Sequence, residues 1–453
     1  MLENYSLRNP EFRKWIWRLM LPLTVQQLLL YGVNIINSLM FGRFGEIEIA
    51  ASTQAINIVA IFNTFIMSVS GAGRILSAQY WGKNDTKSIR SIFGIALRTG
   101  FLVTVCFSTL FLTAPRLLMR IFSSDPAVID MGIIYLRIVA VGLFFHAIST
   151  IIYQVESSLE RPTLYLYGSL ISYPINLLVN FILIFGKLGL PKMGVAGAAI
   201  GYLCGRFTDL VYTITALGKD RRIGVTIKDI FSRDKQMLKH YIAVIKPVFA
   251  HDVTWSFANS MGSIITGQLS TAAVTAYNIC YNFDYLIESL ISGAGKSTST
   301  IVGKILGSDD IEGAKQASRS TMLLALILGI FSALMLILTG RYFILLYNIS
   351  VETAALAKAM MYVFAANIFC QAFEIMALVG VLRAGGSGHI GFWTDIVVMW
   401  GIAIPLGWLA AFKWHLPAIA VVAINRIDMP LKAMVGLIAV LRMRWLKNLT
   451  KDS

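Results

Sequence analysis

The sequence predicts an all-α integral membrane protein whose twelve transmembrane helices form two pseudo-symmetric six-helix bundles around a central cleft. Two observations support this fold class: the composition is very apolar, and the apolar residues lie in long runs. Of the 453 residues, 57% are hydrophobic and 14% are charged, and the mean hydropathy is +0.70. Soluble chains usually carry about 25% charged residues, so most of this surface is expected to face lipid.

Each apolar run can cross a hydrocarbon core about 30 Å thick, which needs roughly 20 helical residues. A β-barrel is disfavoured, because barrel strands give short alternating segments. The first run is too long for a signal peptide, so we expect it to stay in the mature protein. The predicted spans are 16–41, 48–77, 92–114, 132–155, 164–186, 194–217, 240–266, 272–299, 321–346, 355–382, 390–412 and 417–441.

The two halves of the chain repeat one pattern. Pro22 and Asn34 have counterparts at the same spacing in Pro247 and Asn259, and GAGR at 71–74 matches GAGK at 293–296. A parallel repeat of this kind is typical of transporters that rock around a central site. The pattern predicts an N-terminal six-helix lobe at 1–217, a basic cytoplasmic linker loop at 218–239 and a C-terminal six-helix lobe at 240–453.

The net charge of +15 reflects membrane topology and not nucleic-acid binding. Lys and Arg near the termini and in the linker outnumber those in the opposite loops by roughly two or three to one, which predicts cytoplasmic termini. We expect a monomeric, multi-pass protein of the plasma or inner membrane, with the lipid bilayer and small molecules as its partners. The four cysteines lie inside spans without paired spacing, so neither disulfides nor a metal site are predicted. No cofactor is expected.

Acidic side chains inside the second-half spans predict a site for the coupling ion. A charge at the bilayer centre costs on the order of 3 kcal/mol, so it should face protein or water. Asp252, Asp284 and Glu374 are the predicted cation-coupling residues, and Asp252 is the possible sodium position because Pro247 predicts a kink beside it. The alternatives are a structural bond to a neighbouring helix for Asp252, a water-lined wall of the cleft for Asp284, and pairing with a basic group such as Arg383 for Glu374. The second-half candidates for the substrate cleft are Trp255, Asn259, Tyr277, Asn278, Tyr281 and Gln371.

The first half offers neutral polar side chains instead. These residues can bind substrate or simply join helices, and joining helices is the commoner role of a single asparagine. The first-half candidates for the substrate cleft are Gln27, Asn34, Asn37, Asn176 and Asn180.

Several other charged residues inside the spans are interpreted as structural. Arg206 and Asp209 are three residues apart, a spacing that allows an intramembrane pair. Lys432, with Arg426 and Asp428, is assigned to a similar group near the last helix. His251 points about 100° away from Asp252 around the helix and is interpreted as a packed or hydrogen-bonded core residue. The chain has no Walker signature, so an ion gradient is the expected energy source.

Five segments of the chain resemble the multidrug and toxic compound extrusion (MATE) family. The first-half segments are LPLTVQQLLLYGVNIINSLMFGRFGEIEIAA (21–51) and SGAGRILSAQYWGKND (70–85). The second-half segments are KPVFAHDVTWSFANSMGSIITGQLSTAAVTAYNI (246–279), GVLRAGGSGHIGFWTDIV (380–397) and RWLKNLT (444–450).

This resemblance implies two six-helix lobes and export of organic cations or other amphipathic compounds, driven by inward flow of protons or sodium. It places Asp252 at a position of helix seven that is acidic in many members. Asn37 stands where many members have aspartate, and Asn180 stands where some members have it, so we expect coupling in the second lobe.

Three functions compete at this point. The leading one is an ion-coupled multidrug antiporter, in which Trp255, Tyr277 and Tyr281 offer aromatic faces to a cationic substrate. The alternative is an exporter or flippase of lipid-linked or other metabolite substrates on the same fold, which Arg98, Arg137 and Arg206 keep open. A membrane enzyme is the third. The only motif that suggests a membrane enzyme is the acidic pair at 309–310. This pair is interpreted as a solvated turn, so no enzymatic activity is expected.

Overall fold

The chain is helical almost throughout. The computed structural model describes residues 4–41, 46–347 and 349–451, and no β-strand occurs in those ranges. Most of the first half lies in long helices, with two short helices in its loops. The first-half helices are α1 (Pro10–Phe41), α2 (Glu46–Gly82), α3 (Thr86–Thr113), α4 (Pro115–Phe122), α5 (Pro126–Ser158), α6 (Thr163–Phe185), α7 (Gly194–Gly218) and α8 (Ile227–Ile230).

The second half combines α-helices with π-helical segments. Its α-helices are α9 (Lys235–Gly267), α10 (Thr271–Gly307), α11 (Ile311–Ile344), α12 (Val351–Glu374), α13 (His389–Thr394), α14 (Ile404–Trp408), α15 (Ala418–Asn425) and α16 (Asp428–Leu441). The π-helical segments are Ile375–Leu382 after α12, Asp395–Ala403 after α13 and Leu409–Lys413 after α14. Wide turns of this kind often occur at functional sites. Glu374 and Asp395 stand at the beginning of two of these segments.

Among the described residues, eight helical segments are long and apolar enough to cross a membrane. They are Pro10–Asn37, Ile47–Gly82, Thr86–Thr113, Pro126–Ser158, Thr163–Phe185, Ile311–Ile344, Val351–Leu382 and His389–Lys413. The predicted spans at 194–217, 240–266, 272–299 and 417–441 are helical as well. Charged side chains such as Arg206, Asp252 and Asp284 lie within the first three of these segments, and the fourth is divided into the short helices α15 and α16. The all-α membrane fold is confirmed, and these four segments carry many of the candidate residues.

The chain divides into two compact units. The C-terminal unit comprises Met1–Thr24, Ala78–Lys83 and Lys246–Ser453, and the N-terminal unit comprises Val25–Ser77 and Asn84–Ile245. Helix α9 begins at Lys235, within the predicted linker, and its first turn is stabilised by a hydrogen bond from the Met237 amide to Asp234. The lobe boundaries at 1–217, 218–239 and 240–453 remain a prediction.

Each unit has its own apolar core. In the N-terminal unit, Phe62 and Phe111 are fully buried, and the Phe62 ring lies 5.5 Å from that of Phe107. In the C-terminal unit, Phe12 and Val381 belong to a buried cluster. Within a bilayer, lipid tails are as apolar as these side chains, so close packing contributes more to stability than removal from water does.

The buried side chain of Gln79 fixes the end of the chain within the C-terminal unit. Its Nε2 donates to the Ala384 carbonyl at 2.6 Å and to the Lys447 carbonyl at 3.3 Å. Its Oε1 accepts a hydrogen bond from the Leu449 amide at 2.7 Å. Helix α10 passes so close that a Cβ atom on Gly307 would overlap the Gln79 carbonyl oxygen. A glycine is therefore required where α10 crosses the end of α2.

Adding a methyl group at this crossing tests the close approach. We expect Gly307→Ala to cost about 1–3 kcal/mol, the usual price of overpacking, and to lower the melting temperature of the purified protein. The matched control is Gly267→Ala, because nothing lies within 4 Å of a Cβ atom at that position. Equal melting temperatures for the two variants would contradict the assigned role of Gly307.

Candidate functional site

A path of charged side chains runs through the interior of the C-terminal unit. Arg383 Nη2 donates to Asp252 Oδ1 at 2.6 Å and lies 2.7 Å from His251 Nδ1. On the other side of the ring, His251 Nε2 lies 3.5 Å from Asp395 Oδ2. Asp395 Oδ1 is in turn 3.4 Å from Lys432 Nζ. We name these five residues, together with Glu374 and Asp428, the His251 network.

Donor chemistry determines where His251 carries its proton. Arginine can only donate, so Nδ1 of His251 must accept from Arg383. In the neutral ring the proton then sits on Nε2, the nitrogen that points toward Asp395. His251 was interpreted from the sequence as a core residue; it is buried, and it also connects two carboxylates.

Lys432 is fully buried and faces three carboxylates. Its Nζ lies 3.4 Å from Asp395, 3.6 Å from Asp428 and 3.8 Å from Glu374. Asp428 is four residues earlier in α16, which puts both side chains on one face of that helix. Arg383 was an example of a basic partner considered for Glu374, but the side chain that contacts Glu374 is Lys432. Three acids around one ammonium group leave an excess of negative charge.

Asp284 belongs to a separate ion pair. Arg426 Nη1 lies 3.1 Å from Asp284 Oδ2, and the guanidinium group stacks 3.8 Å from the centroid of the Phe364 ring. Arg426 lies at the break between α15 and α16, within the span that was predicted as continuous at 417–441. Asp252, Asp284 and Glu374 are thus each paired with a basic side chain of the chain itself. They do not converge on one shared ion position.

Two aromatic substrate candidates of the second half, Tyr277 and Tyr281, stack on each other and form an aromatic row with Phe364. Trp255 is 38% exposed and Tyr281 is 41% exposed. The Tyr281 ring stacks on Tyr277 at 6.0 Å between centroids, and Tyr277 packs against Phe364 at 5.6 Å. The row therefore leads from an accessible ring to the aromatic partner of Arg426. The other second-half candidates differ in exposure: Gln371 is buried, Asn259 is half-buried and Asn278 is exposed.

Three of the first-half candidates meet inside the N-terminal unit. Asn180 Nδ2 donates to Asn37 Oδ1 at 2.9 Å, and Asn37 Nδ2 donates to Asn176 Oδ1 at 3.5 Å. Gly201 on α7 permits this arrangement, because a Cβ atom there would overlap Asn180 Oδ1. Such bonds join α1 to α6 and fit the role of helix contacts.

The remaining first-half candidates lie outside this triad. Gln27 is half-buried and Asn34 is exposed. The predicted pair of Arg206 and Asp209 is confirmed at 3.9 Å, and the Tyr153 hydroxyl also donates to Asp209. The opposite charges of Arg206 and Asp209 therefore balance each other inside the N-terminal unit.

Sequence reasoning missed Asp395 and undervalued Lys432. Asp395 is the single acid in the apolar run at 390–412, and that isolation was the available signal. Lys432 was assigned a structural pairing, but spacing along the chain could not reveal contacts with Glu374 and Asp395. In the described part of the chain, no three His, Cys, Asp or Glu residues are placed to hold a metal ion. At Asp252, the possible sodium position, the Arg383 guanidinium binds the carboxylate.

Comparisons with known proteins agree on one family. The MatE family model matches residues 22–182 and 247–409. The chain is 20% identical to the uncharacterized transporter YisQ of Bacillus subtilis (strain 168), over 92% of this chain and 91% of that protein. It is 23% identical to the probable multidrug resistance protein NorM of Streptococcus pneumoniae (strain ATCC BAA-255 / R6), over 86% of each chain.

Solved structures share the fold. A crystal structure of MATE in complex with MaL6 superposes with a TM-score of 0.87 at 16% identity, covering 96% of this chain and 97% of that one. A MOP superfamily transporter from Pyrococcus furiosus, described by a reverse polarity of its binding pocket, gives a TM-score of 0.86 at 16% identity and covers 96% of each chain.

Removing one partner of the Asp284–Arg426 pair should be more harmful than removing both. In Asp284→Asn, Arg426 keeps a buried charge without its carboxylate, which costs about 3–5 kcal/mol. We expect a lower melting temperature and yield, with partial recovery in the double variant Asp284→Asn/Arg426→Gln. Asp130→Asn is the control, because its pair with Arg116 is exposed on both sides and contributes little. A double variant no more stable than the single one would argue against this pairing.

Proposed function

This chain belongs to the MatE family of membrane transporters, and we propose that it exports small amphipathic or cationic compounds by alternating access, driven by inward flow of protons or sodium ions. The multidrug resistance names of relatives support an efflux role. The coupling step is the part of the proposal that rests on residues of this chain.

The observation that carries the coupling proposal is the Asp252–Arg383 bond at the start of the His251 network. Asp252 is bound at 2.6 Å to a basic side chain of the same unit. An incoming proton or sodium ion can load this carboxylate only by weakening that bond. Loading would free Arg383 to move, and His251 contacts both residues. Ion entry is thereby linked to rearrangement of α9 and of the segment that ends at Arg383.

The same logic applies to Asp284 and Glu374, which we propose as the other coupling residues. Each is held by a basic side chain, Arg426 and Lys432 respectively. A cationic substrate and a proton would compete for these acids, which is the requirement for exchanging one for the other. The proposal therefore gives the three acids a common role without a common ion position.

Substrate binding is proposed to use the aromatic row of the second half. Trp255 and Tyr281 have accessible rings, and an aromatic face attracts an organic cation by about 0.5–2 kcal/mol. Amide side chains supply hydrogen bonds to neutral parts of an amphipathic compound. The proposed amides are Asn259, Asn278, Gln371, Gln27, Asn34, Asn37, Asn176 and Asn180.

The wider arrangement is part of the same proposal. We propose two six-helix lobes, at 1–217 and 240–453, joined by the basic segment 218–239. Both termini are proposed to be cytoplasmic, since the basic residues concentrate on their side. The protein is proposed to act as a monomer in the plasma or inner membrane.

A flippase for lipid-linked or other metabolite substrates is the alternative. It requires basic groups that are available to bind phosphate. Arg98 donates to the Gly94 carbonyl and Arg206 pairs with Asp209, so both are already engaged. The buried acids favour a cationic cargo instead. Drug susceptibility of cells that express the protein, compared with a lipid-flipping assay in vesicles, separates the two functions.

Neutralising Asp252 is the direct test of the coupling proposal. Asp252→Asn keeps the side-chain shape and removes the charge that an ion must neutralise. We expect the variant to insert into membranes but to transport ethidium no faster than protein-free vesicles do. Ethidium transport is followed in proteoliposomes with pH and sodium gradients imposed separately.

The control for this experiment is Glu312→Gln, whose side chain is 80% exposed and lies on the surface of α11. It should transport ethidium as the unmodified protein does. Normal gradient-driven transport by Asp252→Asn would remove the coupling role from this residue.

A further inference from the structure

The Lys432 ammonium group lies among three acids in the interior of the C-terminal unit. The side chain is 0% exposed, and its Nζ contacts carboxylates from three segments: α12, the π-helical segment Asp395–Ala403, and α16. Its remaining contact is the Met399 sulfur at 3.6 Å, which is a weak partner. The charge of this ammonium group is therefore balanced almost entirely by carboxylates.

The other charges that face this position come from every element packed around it. Helix α9 contributes His251, which reaches Asp395 through Nε2. Arg383, after the segment Ile375–Leu382, is directed at Asp252, and Arg426, before α16, is directed at Asp284. Helix α10 contributes Glu288, a half-buried acid. In the part of the chain that the structure describes, Lys432 is thus the basic side chain that contacts all three carboxylates, while His251 contacts one of them, Asp395.

We propose that Lys432 is a built-in cation that fills the carboxylate site of the C-terminal unit, so that protons and not sodium ions drive transport. The inference rests on the proposed function and specifies its coupling ion. A sodium ion and an ammonium group carry the same charge and prefer the same oxygen atoms, so both cannot occupy one small cage. A proton needs no such space, because it forms an O–H bond with a carboxylate already present.

The proton cycle follows from the charge count of the cage. One ammonium group faces three carboxylates, so one acid can be neutralised while Lys432 keeps two charged partners. A proton taken from water on one side of the membrane forms an O–H bond at Glu374 or Asp395 and weakens that contact with Lys432. The ammonium group then moves toward the remaining acids. Breaking the O–H bond and releasing the proton to water on the other side restores the original contacts.

A purely structural role for Lys432 makes different predictions. In that case the lysine would only hold three helical segments together, and sodium could load another acid such as Asp252 without meeting it. Loss of stability in a lysine variant would fit both readings. The response of the lysine variant to sodium separates the two roles. If the Lys432 ammonium group fills a cation site, removing it leaves that site open to sodium, whereas removing a purely structural lysine does not.

The test compares the unmodified protein with Lys432→Met and Lys432→Arg. Methionine removes the charge at similar length, and arginine keeps the charge. Ethidium transport is measured in proteoliposomes under a pH gradient or a sodium gradient, and melting temperatures are measured in NaCl and in choline chloride at equal ionic strength. Lys315→Met is the matched control, since Lys315 forms a surface pair with Glu312 on α11.

We expect the unmodified protein and the Lys315→Met control to transport ethidium under a pH gradient only. The melting temperatures of these two proteins and of Lys432→Arg should not differ between NaCl and choline chloride. Lys432→Met should lose pH-driven transport by at least about tenfold, because loss of a buried ionic partner leaves the acids uncompensated. Its melting temperature should rise in NaCl relative to choline chloride, as sodium enters the vacated cage.

Sodium-driven transport by the unmodified protein would overturn the inference while leaving the proposed export function intact. A folded Lys432→Met variant that keeps pH-driven transport and ignores sodium would also overturn it. If Lys432→Met does not fold, the melting temperatures of the unmodified protein and of Lys432→Arg test the inference. A higher melting temperature of either protein in NaCl than in choline chloride would contradict a site that is already filled. If neither gradient drives transport, the proposed function fails, and the effect of sodium on stability still decides the role of Lys432.

Discussion

A charge that enters hydrocarbon must find an opposite charge, and this constraint organises the C-terminal unit. Lys432, Asp395 and Glu374 come from three different segments and are all buried, so none of them could stay charged there alone. Their mutual contacts fix how α16 lies against the segments that follow α12 and α13. The π-helical turns begin at or directly after the two acids, where the backbone departs from regular α-helix. The stability of this unit and its proposed ion coupling therefore depend on the same few contacts.

The candidate residues of the two units stabilise their buried polar groups in different ways. In the N-terminal unit, Asn37, Asn176 and Asn180 form a neutral hydrogen-bonded triad, which holds helices without any group that titrates near neutral pH. In the C-terminal unit, ionisable side chains contact one another, and His251 lies between Asp252 and Asp395. This difference explains why coupling is proposed for one unit alone. Ionisable side chains also make several second-half helices less apolar than a simple membrane span.

The fold was largely predictable, because the long apolar runs and the paired prolines at 22 and 247 are properties of the sequence itself. Asp252 and Glu374 could be proposed for the same reason, because a carboxylate inside an apolar run is conspicuous, although the equally isolated Asp395 was missed. The partners of the two proposed acids were not predictable. Arg383 lies far along the chain from Asp252, and Lys432 is distant from Glu374, so only tertiary packing could bring them together. His251 was set aside because its direction on α9 differs from that of Asp252, yet a ring with two nitrogens reaches both neighbouring acids.

In the proposed exchange, binding of a cationic substrate expels protons from carboxylates of the His251 network. The most direct measurement is the number of protons released when ethidium binds to the purified protein in weakly buffered solution, followed with a pH indicator. We expect the unmodified protein to release protons when ethidium binds, and the Glu374→Gln variant to release markedly fewer. Ethidium binding without proton release at any pH where the protein is folded would contradict the proposed exchange.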